Sequence, residues 1–218
     1  AWRLTRRCLE VCLAFRNPVA IISKSLLLRR DIDLLAALHR EASVHVSLSI
    51  PFRDEAVARA IEPGAPTPRK RFETLRLLAE AGVPVGIGVA PVIPGLNDSD
   101  IPWLLREARR CGATSAFHVL LRLPGSVRPV FFHRLEQQLP GRLNKIEHRI
   151  RDSRGGPLYD SRFGRRFEGQ GEHWDVIERM WRVWIARTGF DRLEEAPQRP
   201  STFRRPAAGG QAEFGWAG

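Results

Sequence analysis

VPVGIGVAPVI, residues 83–93, is the stretch that decides the fold. Read with the two-residue period of a strand, Val83, Val85, Ile87 and Val89 fall on one face, and Pro84, Gly86, Gly88 and Ala90 on the other. A strand apolar on one side and almost bare on the other belongs to a sheet that carries helices on one face and a hollow on the other. Its flanks agree. An amphipathic helical run at 69–81 closes on Gly82 just before it, and a turn followed by a second helical run at 99–111, with Ser99 as its cap, comes just after.

Outward from this βα unit the alternation repeats. Strands are expected at 18–25 (PVAIISKS), 44–50 (VHVSLSI) and 115–123 (SAFHVLLRL), with a helix at 31–41. Alternating strands and helices predict an α/β fold of βα units around a parallel sheet, as in a β/α barrel. Helices follow at 127–139, 142–151 and 172–188, the last rich in Trp, with a Gly/Arg-rich loop at 155–171 between them. From 194 onward Pro, Gly and Arg dominate, which predicts a disordered tail. The chain therefore divides into a partial barrel at 1–140, a helical C-terminal extension at 141–192 and a tail at 193–218.

In a β/α barrel, ligand groups gather at the C-terminal ends of the strands. The same period puts His45, Ser47 and Ser49 inward, and Ala116, His118, Leu120 and Arg122 inward on the last strand. Lys24 stands at the end of the first strand, in Ser23-Lys24-Ser25. Lys24, Ser47, Ser49 and Arg122 around a hollow lined by Gly88 suit a small ligand bearing a carboxylate and a ribose. A lysine at a strand end is also commonly just solvated, and a lone His such as His118 is commonly a hydrogen-bonded interior residue.

The first helix carries CLEVC, residues 8–12. Leu4, Cys8, Val11, Cys12 and Phe15 form one apolar stripe at helical spacing, so both thiols read as core residues and not as metal ligands. Three cysteines in all (Cys8, Cys12, Cys111) make no disulfide framework, and the usage suits a reducing, cytoplasmic setting. No residue set names a metal site or a catalytic group. No apolar run approaches the ~20 residues a membrane span needs. The formal charge of +11, almost all arginine, leaves nucleic acid open as a partner, but the absence of a dense basic run puts an arginine-rich and otherwise ordinary monomeric enzyme ahead. A half-barrel binding a phosphorylated metabolite at Lys24 and Arg122 is a further alternative, disfavoured because no Gly-rich phosphate loop opens a helix.

SKS at 23–25, APVIPGLND at 90–98, LLRLP at 120–124 and GGPLYDSRFGRRFEGQG at 155–171 resemble, in kind and in order, the photolyase-like branch of the radical S-adenosylmethionine superfamily, related to spore photoproduct lyase. The resemblance implies strands three to six of a partial barrel, and a family cofactor pair of S-adenosylmethionine and a [4Fe-4S] cluster held by a C-x3-C-x2-C loop. That loop, which follows the first barrel strand, and the first two strands are expected upstream of Ala1, so this chain alone is expected to lack cluster ligands and activity. The resemblance also implies that Lys24 and Ser47/Ser49 lie near the methionyl carboxylate and ribose, and that Gly88 and the 89–95 segment, with Ile93, flank the adenine. Tyr159 and Arg162 of YDSRFG are candidate substrate contacts with His118, or else part of a structural loop held by an Asp160–Arg162 pair.

Overall fold

The computed structural model describes residues 2–159, 167–190 and 201–205. Four strands form one parallel sheet in sequential order: β1 (Val19–Ser23), β2 (Val44–Ser49), β3 (Val85–Val92) and β4 (Ser115–Leu120). Helical segments connect them. A short 3-10 stretch (Leu26–Asp31) and α2 (Ile32–Glu41) join β1 to β2, α3 (Glu55–Ile61) and α4 (Pro68–Glu80) join β2 to β3, and α5 (Ile101–Arg110) leads to β4. Each start has a local reason. The Asp54 carboxylate accepts from the N–H groups of Ala56 and Val57, and the Thr67 hydroxyl accepts from Lys70 N–H with Pro68 opening α4.

The helix-side face of the sheet builds the main core. Val46, Leu48, Val85, Ile87 and Val89 meet Leu35 and Leu38 of α2, Leu75 and Leu78 of α4, and Leu104 and Leu105 of α5. The Trp-rich helix α8 (Glu172–Thr188) packs on α5 and adds Trp174, Ile177, Trp181 and Ile185 to the same cluster. A second core sits over the C-terminal ends of the strands. There Phe52, Ile93, Leu96, Leu121 and Leu123 of the strand-end loops pack with Leu135 of α6 (Val127–Gln138) and Ile146 and Ile150 of α7 (Leu143–Asp152).

Three elements depart from the sequence reading. The helix α3 arises between the expected strand at 44–50 and the expected helix at 69–81, where no element is predicted. The run at 99–111 opens as a 3-10 turn over Asp98–Asp100, so α5 starts at Ile101 with no side-chain cap, and Ser99 does not serve as one. The first helix, α1 (Leu4–Ala14), turns a different stripe inward: it packs on α2 through Leu9, Cys12 and Leu13, at i, i+3 and i+4. Leu4 and Val11 are left 63% and 57% exposed, and Cys8 is exposed, so Cys8 is not a core residue. Of the predicted tail, residues 201–205 are described and lie against the end of α1. Arg204 N–H donates to Phe15 O at 2.8 Å, the Thr202 hydroxyl to Arg16 O at 2.8 Å, and the Phe15 and Phe203 rings stack at 5.9 Å.

Candidate functional site

Strand register settles which side chains face away from the helix layer. Ile22 pairs with Ser47, Ser47 with Gly86, Ser49 with Gly88, Gly86 with Ser115 and Gly88 with Phe117. Register partners in a sheet share a face. The open face therefore carries Ile22, His45, Ser47, Ser49, Gly86, Gly88, Ser115 and Phe117.

For β4 this inverts the sequence reading. Phe117 lies on the open face, and His118, paired in register with the core residue Val89, lies on the helix side. Its Nε2–H donates to the Glu178 carboxylate of α8 at 2.9 Å, with the Trp181 ring centroid 4.4 Å away. His118 thus docks α8 and offers nothing to a ligand on the open face. SAFHVL carries no polar/apolar alternation to fix its phase, so the sequence alone does not tell which of Phe117 and His118 faces the helices.

The glycine hollow is also partly filled. The tip of the Phe117 ring comes within 2.5 Å of where a Cβ on Gly88 would stand. Gly86 is backed by Ser115 and by His45, whose Nε2 lies 2.9 Å from the Ser115 hydroxyl oxygen and whose basicity burial lowers. Gly88 consequently makes room for a side chain of this same chain, not for a ligand. Ser47 and Ser49 are 2% and 4% exposed, and the Ser49 hydroxyl donates to Ala90 O at 2.8 Å. Ile93 is fully buried in the second core, and its N–H donates to the Asn97 side-chain oxygen at 2.7 Å, so it offers no free group to an adenine.

What remains accessible is Lys24. Its ammonium pairs with one oxygen of Glu62, at the end of α3, while the other Glu62 oxygen takes the Arg71 guanidinium at 2.7 Å. Arg71, 2% exposed, also donates to Ser49 O and Pro66 O, each at 2.8 Å. This triad was not legible from spacing, because its members lie on three separate elements. It stands where β1 and β2 end, beside an open face on which Ile22 is 67% exposed. Two cations share one carboxylate, so the group keeps one positive charge with one partly exposed ammonium, a donor set that fits a single ligand carboxylate.

Arg122 and Tyr159 are brought together farther along the strand ends. An Arg122 Nη2–H donates to the Tyr159 hydroxyl at 3.4 Å, and the guanidinium stacks on the Phe167 ring at 4.9 Å. Arg122 is thus engaged by the C-terminal extension, away from Lys24. Arg162 and the Asp160–Arg162 pair lie outside the described residues. Sequence reasoning missed Asn97, which is fully buried and whose amide donates to Pro51 O at 2.7 Å and Pro91 O at 3.0 Å. It ties the loops after β2 and β3 together. Asp98 accepts from the ring of His173 at 2.9 Å, and Asp100 from Arg53 N–H at 3.1 Å, burial pushing its carboxyl above the usual range.

Among the described residues no group of three or more His, Cys, Asp or Glu could hold a metal ion. Cys8 and Cys12 sit on one helix and Cys111 is buried behind α5, so these thiols do not fit an iron–sulfur cluster. Among the described residues no helix is long and apolar enough to cross a membrane.

The family model of the radical SAM superfamily matches residues 2–108, from α1 through most of α5. Protein Rv2578c of Mycobacterium tuberculosis (strain H37Rv) is 36% identical over 117 residues, which are 53% of this chain and 34% of that protein. Residues 2–108 thus carry a radical SAM superfamily domain. Protein MJ0683 of Methanocaldococcus jannaschii is 30% identical over 139 residues, 64% of this chain and 50% of that one. The chain thus spans about a third to a half of the length of these curated relatives. Among solved structures, the fold is similar to that of spore photoproduct lyase. A variant of it with bound AdoMet and dinucleoside spore photoproduct superposes with a TM-score of 0.57 at 20% identity, covering 87% of this chain and 55% of that one. At that identity the likeness is one of fold.

Proposed function

We propose that this chain forms the S-adenosylmethionine-holding part of a radical SAM enzyme, with Lys24 receiving the methionyl carboxylate at the ends of β1 and β2. The observation that carries this reading is the Lys24–Glu62–Arg71 triad, which keeps one positive charge at the rim of the open sheet face. The bound AdoMet in the fold neighbour supports the ligand assignment. When bound, the cofactor supplies the adenosyl group that the superfamily converts to a radical by reductive cleavage of the sulfonium. The residues of this chain bind and orient it: Lys24 by charge, β3 and the filled Gly88 floor by shape. No step is assigned to a cluster, because the described thiols do not fit one.

The substrate class we assign is nucleic acid. The +11 charge supports it, as do Lys145 and Arg149 of α7, which pack beside Gly95 on the loop after β3 and bring basic groups to the strand ends. The dinucleoside substrate of the fold neighbour agrees in kind.

Isothermal titration of the 218-residue chain with S-adenosylmethionine tests the first statement: binding is expected, weakened at least tenfold by K24A. Equal binding by K24A would overturn it. Titration with single- and double-stranded DNA over a range of salt tests the second. Affinity that falls steeply with salt supports it, and salt-independent or negligible binding removes it. Reconstitution of the same chain with iron and sulfide should give no [4Fe-4S] absorbance.

A further inference from the structure

We propose that Glu62 is a positioning residue that fixes the Lys24 ammonium for a ligand carboxylate, an inference that rests on the function proposed above. Alone, an ion pair to Glu62 would cancel Lys24 and argue against an anion site. The geometry says otherwise. Glu62 is shared: its second oxygen is occupied by Arg71 at 2.7 Å, and Arg71 is 2% exposed and pinned to the end of β2 through Ser49 O at 2.8 Å. The Glu62 side chain is 9% exposed and that of Lys24 is 43% exposed. A buried anchor thus holds a partly solvated cation by one of its three N–H donors. Holding the long lysine stem in place beforehand lowers the ordering cost that binding would otherwise carry.

A second observation places the device at the ligand end of the fold. Ser49 O, Arg71, Glu62 and Lys24 form one continuous hydrogen-bonded chain from the terminus of β2 to the terminus of β1. Strand termini on the C-terminal side are where β/α folds gather their ligands. Glu62 comes from α3, an element with no other part in the open face.

Two ligands that differ only by the carboxylate separate this role from general charge and from general stability: S-adenosylmethionine and decarboxylated S-adenosylmethionine. Wild-type chain is expected to prefer the first by at least tenfold. In E62Q and E62D that preference is expected to fall at least fivefold, with affinity for the decarboxylated ligand unchanged. Removing a negative charge would by itself strengthen binding of the carboxylate, so a preference kept or raised in E62Q overturns the proposal. Equal loss for both ligands also overturns it, since that marks a structural role only. K24M alters an accessible side chain and leaves Glu62–Arg71 intact. It carries the test should the Glu62 variants fail to fold, and a K24M preference that does not drop toward unity overturns the proposal. If wild-type chain binds neither ligand, the S-adenosylmethionine reading itself falls and takes this inference with it. If it binds both equally, only the carboxylate site falls.

Discussion

Phe117 and Gly88 are partners across neighbouring strands: the tip of the ring stands 2.5 Å from the position a Cβ on residue 88 would take. The small residue on β3 and the large one on β4 fill a single volume. G88A should therefore force the ring aside and cost about 1–3 kcal/mol of stability, as overpacking does. Urea unfolding checks this, and adding F117L, which shortens the intruding side chain, is expected to recover most of the loss. A G88A protein as stable as wild type would show that the ring has room to move.

How much of this was legible in the sequence follows from how polarity is patterned. On β2, valine and leucine alternate with His45, Ser47 and Ser49, so the face assignment could be read directly and the register agrees with it. On β3, the alternation of valine and glycine gave the correct faces and the wrong contents, because an empty row looks the same whether a ligand or a distant phenyl ring fills it. On β4, alternation was absent, and His118 and Phe117 were exchanged. Lys24 announced itself by standing at a strand end, whereas Glu62, 38 residues away at the C-terminal cap of α3, had no local signal. Asn97 looked like an ordinary turn residue; only tertiary contact reveals that its amide joins two loops.

Asn97 is the next place to test. Its buried amide satisfies Ile93 N–H, Pro51 O and Pro91 O at 2.7–3.0 Å. N97A leaves three buried backbone groups without partners, each worth about 1–3 kcal/mol. A loss of about 3 kcal/mol or more is expected by chemical denaturation. N97D keeps the acceptor for Ile93 but sets a carboxylate against two carbonyl oxygens, so it should rescue little.

Arg71 is expected to matter more for stability than any exposed arginine. R71A leaves Glu62 buried with Lys24 as its one remaining cation and removes the ties to Ser49 O and Pro66 O. Breaking a buried pair from one side costs about 3–5 kcal/mol. R76A, which opens a fully surface-exposed i,i+4 pair with Glu80, should cost well under 1 kcal/mol. Denaturation midpoints of the two variants, measured side by side, give the comparison. Similar losses would mean that the Arg71 site relaxes or admits water.

The docking of α8 should be sensitive to acid. Hydrogen bonding from His118 chiefly, and the nearby positive charges of His118 and Arg182, hold the Glu178 carboxyl below its usual range despite its partial burial. A carboxyl with a depressed folded-state pKa stabilises the fold above its unfolded value of about 4.3, and the contribution disappears as pH falls through the folded value. Wild type is therefore expected to exceed E178Q in stability just above the ordinary carboxyl range, and the margin should close as the solution is acidified below about pH 4.3. Unfolding followed by tryptophan fluorescence suits the measurement, because Trp174 and Trp181 flank His118 with ring centroids at 5.8 and 4.4 Å. A margin that stays flat down to the acid transition would show that Glu178 contributes packing and no charge. In that case the apolar contacts of Trp174, Ile177 and Trp181 alone would seat the helix.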